Sequence, residues 1–531
     1  MRTLLKIILT NGRIYTLDRG FHIAHTVAIE GNRISKVTNA SEFKKDSKSQ
    51  ILDLKGKTII PAFCDSHVHL LLLALSLNQI DLSKARSLKQ VLSLVRNKTK
   101  KSKPNEWISG RGWNINQWSI EKFPDKKSLD EVSPHNPVTL SSKEEHLLWV
   151  NSFALKLARI NENASNPIGG EIERYPNSNE PTGILKEEAT GLVHRIPNKP
   201  SKEAFRKMLC EAVQNAYRFG ITSVHNFDGG ATHNLLEEIL LEEGKLPLRI
   251  LQFFRDDKLE ELINSDTPIE TGSEYLRIGG IKLFADGALG SRTALMFEPY
   301  EGTKNDFGIE VTDPHRLKSI TTKANILGLN VAIHAIGDRG VHNALDAIEH
   351  SIRENKKYYA NRIEHAQLVK PSDLKRFKSL KVTASLQPIH ATSDRDMAIK
   401  HWGKRFANAY RLKSFLNNGI RVIFGSDCPI EDLNPLKGIY AAVTRKREKV
   451  NESPFYPKER IDIRKAILGF TKWPAIASGE EKQKGSIETG ELADMIVLSE
   501  DIFKVPSKGI PDIEILATIF DGKIVYGEEN L

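Results

Sequence analysis

The strongest constraint on this chain is a series of eight short, apolar, β-rich runs separated by stretches of helical character. In order they are TIIPAFCDSHVHL from Thr58, GITSVHNFD from Gly220, PLRILQFF from Pro247, IGGIKLFADG from Ile278, GLNVAIHAIG from Gly328, NRIEHAQLV from Asn361, LKVTASLQPIH from Leu380 and GIRVIFGSDCP from Gly419. Helical segments such as GVHNALDAIEHSIREN (340–355) and RLKSFLNNG (411–419) lie between several of them. Strands alternating with helices imply a parallel sheet, and eight such units predict an α/β fold, a TIM-like (β/α)8 barrel. A doubly wound sheet is the alternative.

The two ends of the chain read differently. KIILTNGRIYTLD carries Asn11-Gly12 between two apolar runs, a hairpin signal, and HTVAIEGNRISKVTN repeats the device around Glu30-Gly31-Asn32. GSIETGELADMIVLS and ILATIFDGKIVYGEE are again strands with glycine turns. Residues 1–60 and 476–531 are therefore expected to build one small composite β-sandwich, with the barrel spanning 61–475. One spacing breaks the barrel pattern: 156 residues separate His69 from His225, against about 30 for one strand-helix unit. An insertion over about 76–200 accounts for this, and it holds four of the six tryptophans: Trp107, Trp113, Trp118 and Trp149. Emerging after the first strand, it is placed to cover the C-terminal face, where barrel active sites sit.

Bulk properties narrow the functional classes. With 531 residues, 40% hydrophobic and 27% charged, the chain has material for a large core and no low-complexity tract. Its net charge of +10 is spread along the sequence. The densest basic run, NKTKKSKPNE (97–106), lacks interleaved aromatics and reads as a solvated loop, so no nucleic-acid partner is expected. Cys64, Cys210 and Cys428 form no CxxC pair, which argues against a disulfide framework and for a reducing compartment. The opening MRTLLKIILTNGRIYTL is broken by Lys6 and has no small-residue cleavage site, so it reads as a strand and not as a signal peptide. No stretch approaches the ~20 apolar residues of a membrane helix. A cytoplasmic, soluble protein without a membrane partner is the expectation.

Candidate chemistry gathers at the ends of the strand runs. His67 and His69, two apart in a strand, share a face and can point into one site. Lys282, His334, His365 and Asp427 follow at intervals of 52, 31 and 62 residues, one or two strand-helix units each, so all would project from one rim. Lys282 stands inside an apolar strand, where an unpaired ammonium is costly and needs a partner.

In the order IIPAFCDSHVHL, GRGWNINQW, PTGILKEEA, GITSVHNFDG, IKLFADGALGSRTA, HAIGDRG, RIEHAQ, FGSDCPIEDLNPLKGIYAAVTR and GSIETGELADMIVLS, the sequence resembles the amidohydrolase superfamily of metal-dependent hydrolases. Within it the chain is most similar to the amidohydrolase 3 type, the branch containing N-substituted formamide deformylase. The resemblance implies that His67 and His69 bind the more buried metal and that His334 and His365 bind the second. It implies that Asp427 ligates metal and is the catalytic base, and that Lys282 reacts with carbon dioxide to become a bridging carbamate. The expected cofactor is a divalent metal, zinc by default, one or two ions per chain. The expected reaction is hydrolysis of a non-peptide C–N bond, amide or formamide-like, by a metal-activated water acting on a small-molecule substrate. Deamination at a ring or amidine carbon, hydrolysis of a C–O bond and a non-enzymatic binding role are the competing readings. Deaminase relatives lack the bridging lysine, which sets Lys282 against the first. Relatives are often oligomers, so a homodimer is the expected assembly.

Four further residues are candidates for substrate contact. His146, in EEHLLWVN, resembles a branch motif lining the site from the insertion, although Glu144-Glu145 depart from the usual small or polar residues there. His225 ends the second run and would touch substrate or make a structural hydrogen bond. Arg292 would contact substrate or, with Asp286, order the loop after the fourth strand. Trp113 would form an apolar pocket with Trp118 or pack the insertion. Asp338-Arg339 read as a local ion pair, and Cys64 and Cys428 as small buried hydrophobes.

Overall fold

The computed structural model describes residues 6–39, 49–76, 79–118, 123–194, 196, 202–264 and 272–531. The eight apolar runs supply eight strands of one parallel sheet: β1 (Phe63–Val68), β2 (Ile221–Asn226), β3 (Arg249–Arg255), β4 (Leu276–Phe284), β5 (Asn330–Ala335), β6 (Arg362–His365), β7 (Thr383–Leu386) and β8 (Val422–Phe424). Their order in the sheet is their order in the chain. The sheet closes where Asp427 N–H donates to the His67 carbonyl (2.8 Å) and His69 N–H to the Cys428 carbonyl (2.9 Å). The protein is thus a TIM-like barrel.

Alternation along each strand explains what faces the interior. Ile281 and Leu283 of β4 join Val331 and Ile333 of β5 and Ala344 and Ile348 of the helix Asp338–Asn355 in the apolar layer between sheet and helices. Lys282, Phe284 and His334 consequently take the opposite face. Gly280 sets this frame. Its φ is 145°, and a β-carbon there would collide with the Asn330 carbonyl. The β3–β4 ladder shifts register beside it, between Gln252 and Phe253.

Both chain ends build two further sheets. One holds Lys6–Thr10, Thr26–Glu30, Arg33–Thr38 and Ser49–Asp53; the other holds Arg13–Tyr15, Ile23–Ala24, Thr58–Pro61, Met495–Leu498, Ile515–Phe520 and Lys523–Tyr526. They share an apolar cluster that includes Ile7, Ile14, Val27, Val497 and Ile519. Glu30 and Arg33 pair across the expected turn at Gly31-Asn32. The Asn11-Gly12 hairpin does not form. Asn11 (φ 53°) carries the chain from one sheet to the other, and Arg13 N–H bonds the Lys57 carbonyl instead. A short turn fixes the local reversal, but the pairing of Lys6–Thr10 with Thr26–Glu30 and Ser49–Asp53 decides the sheet. Residues 1–5, the head of the expected first strand, lie outside the described residues.

Between β1 and β2 a separate six-stranded sheet runs from Ile80–Asp81 to Pro181–Glu187, with its own core around Trp113, Trp118 and Trp149. The basic run 97–106 begins in the last turn of the helix Leu88–Thr99, where cations favour the helix C-terminus, and continues as a largely exposed turn. Among the described residues no helix is long and apolar enough to cross a membrane. The three cysteines are free, with Cys64 and Cys428 buried.

Candidate metal centre and active-site cavity

At the C-terminal mouth of the barrel lies a cavity of about 620 Å³, lined by barrel residues and by Lys143 to His146 and Glu187 to Glu188 of the inserted sheet. Asp427 sits on its floor. His67 Nε2 and His69 Nε2 are 3.3 and 3.6 Å from Asp427 Oδ1, and His365 Nδ1 is 3.8 Å from Oδ2. Donor atoms of His67, His365 and Asp427 all fall within 4.8 Å of one another. The His334 ring is 4.6 Å from that of His365, and Lys282 lines the same space.

The backbone aims these groups. His365 and Asp427 end or follow their strands with φ of 70° and 62°, a left-handed conformation that turns each side chain into the mouth. Each imidazole is also oriented through its second nitrogen. His67 Nδ1–H donates to Glu364 Oε2 (2.6 Å), His365 Nδ1–H to Gln387 Oε1 (2.9 Å) and His334 Nε2–H to the Gly287 carbonyl (3.1 Å). The opposite nitrogen of each ring keeps its lone pair. Burial holds His67 down to about 4 and His334 and His365 well below the usual imidazole value. Against the cost of burial, neighbouring His67 and His365 keep Asp427 well below the usual carboxylate range. Neutral rings anchored by second partners, beside an ionised carboxylate, are the donor set a divalent ion requires.

Lys282 is 2% exposed, its Nζ 4.7 Å from the Phe227 ring centre and 5.0 Å from that of Phe284. Burial pushes its amine down to about 8, against the pull of Glu364 and Asp427. Asp286 is not its partner. That carboxylate accepts the N–H groups of Leu295, Ile336 and Gly337 (2.8–3.0 Å) and orders the loop after β4.

Of the four substrate-contact candidates, one lines the cavity. His146 does so, with its Nδ1 on Glu187 Oε2 at 2.6 Å and its ring 5.2 Å from His334. His225 lies outside the lining: its Nδ1 accepts from Arg362 Nη1 (2.8 Å) inside the barrel. Arg292, exposed at φ 57° in an otherwise buried turn, is not among the residues lining the cavity. Trp113 is fully buried in the inserted sheet's core, where its indole N–H donates to the Leu140 carbonyl (2.8 Å); at that strand position it packs, and it is not among the residues lining the cavity.

Three contributors were not singled out from the sequence. His390, the last residue of the seventh run, places Nε2 3.8 Å from Asp427 Oδ2. In RIEH, Arg362 and Glu364 share the inward face, and the guanidinium holds Glu364 (2.5 and 2.9 Å) beneath His67. Two charges at i and i+2 of a buried strand were the available signal. Glu364→Gln keeps the shape but removes the anionic acceptor of His67, and metal affinity is expected to fall about 10- to 100-fold. Competition with a chromophoric chelator measures this.

Neutral imidazoles and a carboxylate converging at one barrel mouth define the class: metal-dependent hydrolases on a (β/α)8 frame. The chain belongs to the amidohydrolase family, whose model matches residues 50–526. Protein LONG AFTER FAR-RED 3 of Arabidopsis thaliana is 35% identical over 98% of this chain and 91% of its own length. N-substituted formamide deformylase of Arthrobacter pascens is 28% identical over 99% of each chain. The crystal structure of an uncharacterized metal-dependent hydrolase from Pyrococcus horikoshii OT3 superposes with a TM-score of 0.76 at 30% identity, over 94% of this chain and 99% of that one.

Proposed function

We propose that this hydrolase cleaves a non-peptide C–N bond, amide or formamide-like, in a small-molecule substrate. The observation that carries the reading is Asp427, ionised on the cavity floor within 3.3–3.8 Å of His67, His69 and His365. His67, His69, His334, His365 and Asp427 would hold one or two divalent ions, zinc by ligand chemistry. Such an ion supplies Lewis acidity, polarising a carbonyl and lowering the pKa of water to roughly 7. Asp427 takes the proton from the attacking water as the O–C bond forms. It then delivers that proton to the leaving nitrogen as the C–N bond breaks, and a carboxylate and an amine depart. His146 and His390 border the substrate space. The formamide deformylase of Arthrobacter pascens, similar along its whole length, supports the choice of bond.

Lys282 is assigned as a carbamate. Its amine near 8 is in part neutral at physiological pH. The free nitrogen can attack carbon dioxide, forming an N–C bond and releasing a proton. The anion so formed suits a site of cations better than a buried ammonium does. The test is a panel of N-substituted formamides, N-acyl amines and cyclic amides, assayed with zinc-loaded and chelator-treated protein. Amine release that depends on added metal supports the reading. Ammonia release from amidine or ring substrates, with none of the amides turned over, would replace it with deamination.

A further inference from the structure

The chain carries a net charge of +10, yet its cavity is acidic. Ten carboxylates line it against two lysines and one arginine, a formal charge of −7 with the histidines neutral and Lys282 an ammonium, and −9 with Lys282 as the carbamate. Two divalent ions would leave that balance negative. The three cations are already engaged. Lys143 pairs with Glu431, Arg255 Nη2 with Glu188 Oε1 at 2.7 Å, and Lys282 lies over Phe227 and Phe284 beside the metal cluster. A substrate anion therefore meets no unengaged lysine or arginine in the described lining.

Two carboxylate oxygens, by contrast, have no hydrogen-bond partner among the described residues: Glu144 Oε1 and Glu187 Oε1. Glu187 is only 9% exposed, and its other oxygen accepts from His146 Nδ1. Both unpartnered atoms rest on one turn, where β-carbons at Gly287 and Gly290 would otherwise project. Glu144, Glu187 and Gly290 all line the cavity. His146, next to both glutamates, stands 5.2 Å from His334, so this recess adjoins the metal cluster. Leaving a buried carboxylate oxygen unpaired is costly, and a cationic ligand group would remove the cost while making charge-assisted hydrogen bonds.

Building on the hydrolase reading above, we propose that the substrate carries a positive charge, an ammonium, guanidinium or amidinium group, held by Glu144 and Glu187 in the recess beside His334. The acidic lining also concentrates such a substrate at the mouth, despite the basic exterior. Glu144, an unusual residue for this motif, then sets specificity together with Glu187.

The test separates binding from turnover. A matched pair of methyl ketones, with CH2 in place of the amide nitrogen, ends in a primary ammonium (–NH3+) or in a methyl group of the same size. Titration calorimetry on metal-loaded protein reads both. The cation is expected to bind at least about tenfold tighter at low ionic strength, an advantage that shrinks when salt is raised to about 0.5 M. Glu144→Gln should remove most of it. Glu187→Gln should act likewise; where loss of the His146 contact prevents folding, Glu144→Gln carries the result alone. Equal binding of the two ketones, or an advantage that survives Glu144→Gln, overturns the proposal. The matching amides are assayed in parallel. Cation preference without amide turnover sinks only the C–N assignment, whereas turnover without cation preference sinks only this inference.

Discussion

Asp427→Asn is expected to cut kcat by a factor of about 10² to 10⁴ while leaving the protein folded. Asparagine is the informative replacement. Asp427 sits at φ 62°, a left-handed conformation that asparagine tolerates and most other side chains do not. The amide keeps shape and an oxygen donor but cannot take a proton from water. The loss should fall mainly on kcat, because the proton transfer belongs to the transition state. Metal content of the variant separates a lost ligand from a lost base: a metal-replete, inactive variant assigns the base. Near-normal turnover with metal bound contradicts the role.

The second large effect is structural. Arg249, the first residue of β3, is 1% exposed and ties the barrel to the sheet formed by the chain ends. Its Nε and Nη2 donate to Asp494 (2.6 and 3.0 Å), Nη2 reaches Asp521 (3.4 Å), and the guanidinium lies 4.9 Å from the Phe520 ring centre. Arg249→Ala leaves Asp494, 7% exposed, as an uncompensated buried charge, and should cost about 3–5 kcal/mol. The denaturation midpoint should drop while kcat per folded molecule stays unchanged. Arg249→Met combined with Asp494→Leu should recover most of the loss, since replacing both partners by apolar groups removes the charge left stranded. A double variant as unstable as Arg249→Ala would show that lost packing, and not the isolated carboxylate, sets the cost.

The barrel was legible because its signals are local and repeated. Each strand run carries its own apolar pattern, and the histidines and Asp427 close their runs in register. Lys282 was legible as an exception, a charge in a strand whose neighbours Ile281 and Leu283 had to face the helices. What was not legible depends on contacts far apart in sequence. Asn11-Gly12 has hairpin chemistry, yet pairing with residues 26–30 and 49–53 sends its flanks to different sheets. Trp113 is an aromatic near a predicted active-site cover, but its burial follows from Leu140 and Trp149, which the one-dimensional pattern does not place beside it. Glu364 acquires meaning only when His67, almost three hundred residues earlier, arrives above it.

The central claim is that His67, His365 and Asp427 hold a catalytic divalent ion. Metal analysis of the purified wild-type protein beside a His67→Ala/His365→Ala variant tests it most directly, with Lys282 inspected by crystallography in the same preparation. The wild type is expected to hold one or two ions per chain, with a carbamate on Lys282 where two bind, and the variant to lose metal together with activity. A folded variant that retains its full metal complement, or a metal-free wild type with full activity, would contradict it.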